Sequence, residues 1–236
     1  MKIHKLFVGL VAVPIVLIIL INHNLSDQVV KTSSYAGEVV YYTINPVGKA
    51  EYRDFGAVDL NGQKLNLVIF KTKVLFFEDT EKIYSDPNSF LPIKIERNVS
   101  KLWSKEYITE DYDQKKFIVV TRKFKKDKVI FEQITQAQGP IHNAITLPFY
   151  LRRSQALKIG WNFLIRIPLE FKLTLVSIEQ ITVPAGKFWA YHFKSNPDKF
   201  EIWINKDLPQ VPLKIQGKGV LGYVLLMKKY YVESKF

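Results

Sequence analysis

Asp86 and Asp207 sit in turns that resemble each other. KIYSDPNSFLPIKI runs from Lys82 to Ile95 and IWINKDLPQVPLKI from Ile202 to Ile215, each an apolar–aromatic run, a turn with an acid, then Pro, an aliphatic, Lys and Ile. Two carboxylates held in one pocket could do general acid–base work, one giving a proton while the other takes it. That chemistry needs the two turns to meet, and nothing in the sequence brings them together. A plainer cause suffices. Pro92 and Pro212 open a strand where no N–H is needed, and alternation then sets Ile93 and Ile95 against Lys94, and Leu213 and Ile215 against Lys214. Both phrases read as hairpins with a buried aliphatic face and an aromatic–lysine face on which Lys94 and Lys214 are the more exposed residues.

Other reactive patterns fail on context. Gly217 to Gly222 spells G-x-G-x-x-G, but only strand-like residues follow, with no room for the helix, returning strand and ribose-binding acid of a dinucleotide site. The histidines are His4, His23, His142 and His192, without a second His or an acid at ligand spacing, so no metal is expected. Ser154 lacks a nucleophile elbow. No cysteine is present, which removes disulfides, thiolate sites and a lipidated cysteine. No catalytic residue and no cofactor are assigned.

One run remains. RKFKKDK holds Arg122, Lys123, Lys125, Lys126 and Lys128, which as a hairpin tip would be a solvated basic edge or a contact for anionic headgroups or wall polymer. The net charge of +12 comes mostly from lysine, with six arginines, and this disfavours a nucleic-acid reader, which leans on Arg for bidentate contacts. Phe76, Phe77, Tyr84, Trp103, Trp161, Trp189 and Trp203 could line an apolar cavity or serve as core.

The elements that would position these residues are strands. Asn61-Gly62 is a strong hairpin signal between apolar runs. Turn residues recur at Tyr112-Asp113-Gln114-Lys115, Lys125-Lys126-Asp127 and Val183-Pro184-Ala185-Gly186, while Leu65 to Phe77 is too apolar and β-branched for a surface helix. Asn143 to Leu157 has helical spacing interrupted by Pro148, which predicts one short or broken helix. The expected fold is mainly β: a strongly curved antiparallel sheet or barrel-like single domain over residues 37–236, with one short helix.

The N-terminus gives a location. Lys2 and Lys5 precede the apolar run Leu6 to Ile21, and no further formal charge occurs before Asp27. Sixteen helical residues reach about 24 Å, close to the hydrocarbon thickness. Small residues at cleavage positions are missing just behind the run, which favours an uncleaved membrane anchor over residues 1–25 rather than a removed signal. Residues 26–36 then form a tether, and the β domain lies on the extracytoplasmic side, or is secreted if the segment is cleaved.

GEVVYYTINPVGKAE, SDPNSFLPIKIE, ITLPFYLR, ITVPAGKFWAYHF and FEIWINKDLPQVPLKI occur in an order that resembles the exported bacterial family called domain of unknown function 3108, over about residues 37–232. The Asp-to-Pro hairpin is more distantly similar to lipoprotein-carrier (LolA-like) β folds. Where many members carry an acid before the short helix, this chain has Asn143. The resemblance implies a periplasmic or extracellular β domain and supplies no residue with a known role. The expected function is a non-enzymatic, membrane-anchored envelope domain that binds an apolar or amphiphilic ligand, an anionic polymer or a partner protein. The alternative is a carboxylate-dependent hydrolase of wall glycan or lipid.

Overall fold

The computed structural model describes residues 36–154, 156–218 and 222–233. The anchor, all of the tether except Ala36, and Gly219 to Leu221 of the glycine motif lie outside them. Among the described residues no helix is long and apolar enough to cross a membrane.

Fourteen strands form one antiparallel sheet. The first eight are a meander: β1 (Glu38–Asn45), β2 (Lys49–Leu60), β3 (Gln63–Val74), β4 (Phe77–Ser85), β5 (Pro92–Lys101), β6 (Ser104–Asp113), β7 (Ile118–Lys125) and β8 (Lys128–Gln136). After a crossing segment with α1 (Leu147–Leu151) come β9 (Asn162–Ile167), β10 (Leu169–Val183), β11 (Gly186–Asn196), β12 (Phe200–Asn205), β13 (Pro212–Gly217) and β14 (Val224–Val232). β14 pairs with β1 and joins the two halves, so β8 and β9 are the sheet's two edges.

The turn chemistry explains several connections. Asn61 and Gly62 both take positive φ, as do Lys126 and Asp127 (for the latter pair 48° and 62°), the geometry a two-residue hairpin loop prefers. The helix is shorter than its spacing suggests. The Asn143 carboxamide accepts the N–H groups of Ile145 and Thr146, Pro148 follows at the helix start, and only five residues turn. Leu65 to Phe77 is strand, as its composition suggests, with one turn within it. Leu75 and Phe76 form a tip between β3 and β4, with Leu75 at φ 49°.

The repeated phrase is two hairpins of one design. Ile83 pairs with Ile95 and Tyr84 with Lys94; Ile202 pairs with Ile215 and Trp203 with Lys214. In each a bulge follows the aromatic–lysine pair and leaves Ile93 or Leu213 as the extra residue. Ile95 and Leu213 are buried as expected, but Ile93 and Ile215 are only half-buried. Ile215 lies two residues from the end of its short strand. Asp86 caps its own turn, accepting the N–H groups of Asn88 and Ser89 and the Ser89 hydroxyl. The Lys214 ammonium lies 4.0 Å from the Trp203 ring centre. Lys214→Ala should therefore cost about 0.5–1 kcal/mol in urea unfolding.

Two adjoining clusters form the core. One gathers Val40, Tyr42, Tyr52, Val68, Ile83 and Ile95 with Trp203 and Leu213, and the other gathers Leu147 and Leu151 of α1 with Ile165, Leu173, Phe193 and Ile202. Phe149 stacks on Tyr52 at 3.6 Å between ring centres, and Arg152 just beyond α1 makes a buried bidentate pair with Glu38. The helix is thus pinned to the first strand.

Candidate functional site

Antiparallel neighbours in a meander place every second turn at the same rim. The β1–β2, β3–β4, β5–β6 and β7–β8 turns therefore open together. Their tips are Pro46-Val47-Gly48, Leu75-Phe76, Leu102-Trp103 and Lys126-Asp127. Apolar side chains here are turned to water: Trp103 is 90% exposed, Phe76 69%, Leu75 68%, Leu102 54% and Val47 52%. Hairpin tips are normally polar, because Gly, Asn, Asp and Ser supply turn conformations and face solvent. Two adjacent tips, Leu75-Phe76 and Leu102-Trp103, break that rule, and Val47 beside Gly48 adds a third exposed apolar side chain on the same side of the molecule.

Lysines flank these tips. Lys49, Lys73, Lys101, Lys105, Lys125, Lys126 and Lys128 are all exposed. Lys73 is paired with Glu78, and Lys101 with Glu106 at 2.6 Å. Among the described residues Lys105, Lys125, Lys126 and Lys128 have no ion pair, so their charge is available. A groove of about 340 Å³ opens beside the β3–β4 tip, lined in part by Tyr41, Lys49, Lys71, Lys73, Glu78 and Asp79. Six of its ten lining residues are charged, unlike the apolar cavity that would hold an acyl chain.

The basic run of the sequence is thus divided in use. Arg122 lies within the sheet, paired with Asp111 at 2.8 Å and Glu132 at 2.6 Å. Lys123 leans toward the Phe131 ring. Lys125, Lys126 and Lys128 stand at the tip, in line with the apolar ones. Nor do the aromatics gather round one cavity. Tyr84 and Trp203 are buried in the core, Phe77 and Trp161 are half-buried, and Phe76, Trp103 and Trp189 are exposed.

Two polar networks escaped the sequence. His192 has acids beside it after all. Its Nε2 is 2.6 Å from Glu201 and its Nδ1 is 3.3 Å from both Ser177 Oγ and Glu179. Serine, histidine and glutamate on β10, β11 and β12 have the types of a nucleophile relay, but the protons are arranged otherwise. The Ser177 hydroxyl donates to Glu179 Oε2 at 3.0 Å, leaving no hydrogen for the imidazole to take. Glu179 also accepts the Trp203 indole N–H at 2.7 Å, and the His192 ring stacks on Trp203. Burial pushes the Glu201 carboxyl up, yet the Lys218 ammonium and His192 outweigh it and hold it below its ordinary value. This is a brace across three strands.

The second network joins Asp79 and Glu81 of β4, Arg97 of β5 and Glu110 and Tyr112 of β6. Arg97 Nε donates to Asp79 at 2.8 Å and lies 3.5 Å from Glu81, while the Tyr112 hydroxyl donates to Glu110. Burial lifts the Glu81 carboxyl to about 7 despite Arg97, with the charges of Asp79 and Glu110 adding to the rise. The glycine motif contributes shape. Gly217 closes on Tyr223 through a backbone hydrogen bond of 3.0 Å, and a Cβ there would meet the Tyr223 ring at 2.6 Å.

No family model matches the chain, and no curated protein matches it. Among solved structures the chain is similar to a beta-barrel-like protein of domain of unknown function DUF1849 from Brucella abortus. That likeness has 8% identity, spans 84% of this chain and 98% of the other, and has a TM-score of 0.49.

Proposed function

We propose that the chain is a membrane-anchored, extracytoplasmic β domain that settles on an anionic lipid surface through its rim of hairpin tips. One observation carries this reading: exposed Leu, Phe and Trp tips share one rim with Lys105, Lys125, Lys126 and Lys128, which are unpaired among the described residues. Apolar insertion by a few side chains binds a bilayer only marginally, and basic groups near an anionic surface add about 1 kcal/mol each, so the two work together. Trp suits the interface because its ring is apolar and its N–H polar. The apolar segment Leu6 to Ile21 supplies the anchor in this reading, and the resemblance to domain of unknown function 3108 is in keeping with an exported domain. The amphiphilic ligand expected from the sequence is then the bilayer surface itself.

The test separates rim from anchor by using a chain that begins at Ala36. It should sediment with vesicles containing phosphatidylglycerol and stay in solution with zwitterionic vesicles. The Phe76→Ser/Trp103→Ser double variant should bind at least tenfold more weakly, and 0.5 M salt should release the wild type. Equal binding by the variant would remove the rim from the account.

The hydrolase alternative has one observation in its favour, the Glu81 carboxyl at about 7 beside Glu110 and Asp79. A general acid near neutral pH needs such a value. Turnover of wall glycan or phospholipid lost in Glu81→Gln would support it.

A further inference from the structure

The two edges of the sheet are treated differently. At β9 the crossing segment covers the backbone: the His142 N–H donates to the Arg166 carbonyl at 2.7 Å, and the Arg166 N–H donates to His142 Nδ1 at 3.2 Å. Pro168 then ends the strand. β8 has the opposite character. Eight of its nine residues are exposed, and they include Val129, Ile130, Phe131 and Ile134, the last 64% exposed. An open strand of this kind offers unpaired N–H and C=O groups to any extended chain.

The first part of β8 is guarded. A register shift leaves Ile130 outside the ladder, and Lys128 precedes it. Bulges and lysines both discourage pairing there. From Phe131 to Gln136 the ladder with β7 runs without interruption, so among the described residues about 20 Å of regular edge remains open.

We propose that this edge receives an extended, acidic segment of a partner protein, which adds a fifteenth strand to the sheet. Charge selects the occupant. Lys125, Lys126 and Lys128 stand at one end of the edge around a single acid, Asp127, and Lys115 and Lys116 of the β6–β7 turn stand at the other, Lys116 lying 3.9 Å from Asp113. The acid of β8 itself, Glu132, is held by Arg122 at 2.6 Å and does not offset them. A fitting segment carries carboxylates at both ends and apolar or β-branched residues between, so that side chains on one face can meet Ile134 and those on the other can meet Phe131. A second copy fits poorly. Antiparallel pairing of two β8 strands would bring the lysines at the start of each toward those at the far end of the other, on chains already carrying +12.

The test uses the full chain in nonionic detergent and a labelled peptide of alternating threonine and valine closed at each end by two aspartates. Fluorescence anisotropy should show saturable binding to the wild type. Ile134→Lys should weaken it at least tenfold, and Leu164→Lys on β9 should leave it unchanged. The same peptide closed by lysines should bind at least tenfold more weakly. Equal binding of both peptides would refute the choice of an acidic occupant, and no binding of either would refute the edge as a receptor. A dimer in sedimentation, dissolved by Ile134→Lys, would replace the partner by a second copy. None of these results depends on vesicle binding through the rim.

Discussion

Arg152→Ala should destabilise the domain by about 3–5 kcal/mol, the cost of leaving one partner of a buried ion pair alone. Glu38 is wholly buried at the head of β1, and both of its oxygens accept from the Arg152 guanidinium, at 2.6 and 2.5 Å. Without Arg152 the carboxylate must be protonated, or water must be admitted beside Tyr42 and Tyr52. Either outcome loosens α1, whose Phe149 lies on Tyr52. Glu38→Gln combined with Arg152→Met removes both charges and should recover most of the loss, since a paired charge contributes little over an apolar substitute. Urea unfolding measures both variants. A loss below 1 kcal/mol for Arg152→Ala would mean that the helix is held by apolar contacts alone.

Two buried groups should give stability opposite slopes with pH. Burial and the nearby Arg166 charge depress His142 to about 4. A histidine depressed on folding contributes stability that is present above its unfolded value near 6.5 and is lost as pH falls toward 4. Glu81 behaves in reverse. Its folded value near 7 lies above the unfolded carboxyl value, so its contribution is complete below about pH 4.5 and is lost as pH rises through 7. Each shift corresponds to roughly 3 kcal/mol over its window. Relative to wild type, Glu81→Gln should therefore gain stability as pH rises from 4.5 to 7.5. His142→Gln should gain as pH falls from 6.5 to 4. Unfolding free energies at four pH values for the three proteins decide this, and parallel curves would contradict it.

Much of the sheet was legible because its turns carry turn residues. Asn61-Gly62, Lys126-Asp127 and Pro184-Ala185 each announce a hairpin, and the repeated Pro-aliphatic-Lys-Ile phrase fixes two more with their pairing. The Leu75-Phe76 and Leu102-Trp103 tips were not legible, since neither contains Gly, Pro, Asn or Asp, and Leu75-Phe76 lies inside the apolar run Val74 to Phe77. These are the tips proposed to meet the membrane. A place where local preference is overridden is where function is expected to show. Arg152 and Glu38 are 114 residues apart and carry no mutual signal. His192 and Glu201 flank a turn at Asn196 to Lys199, and a hairpin drawn around that turn would have brought them near each other.

Trp103 tests the central proposal most directly. The full chain reconstituted in vesicles of anionic lipid with brominated acyl chains should lose tryptophan emission. Trp103→Phe should abolish most of that loss while leaving the protein in the vesicle fraction. Zwitterionic brominated vesicles should quench much less, because the lysines of the rim then have no surface charge to meet. Equal quenching of wild type and Trp103→Phe in anionic vesicles would place the rim in water and contradict the account.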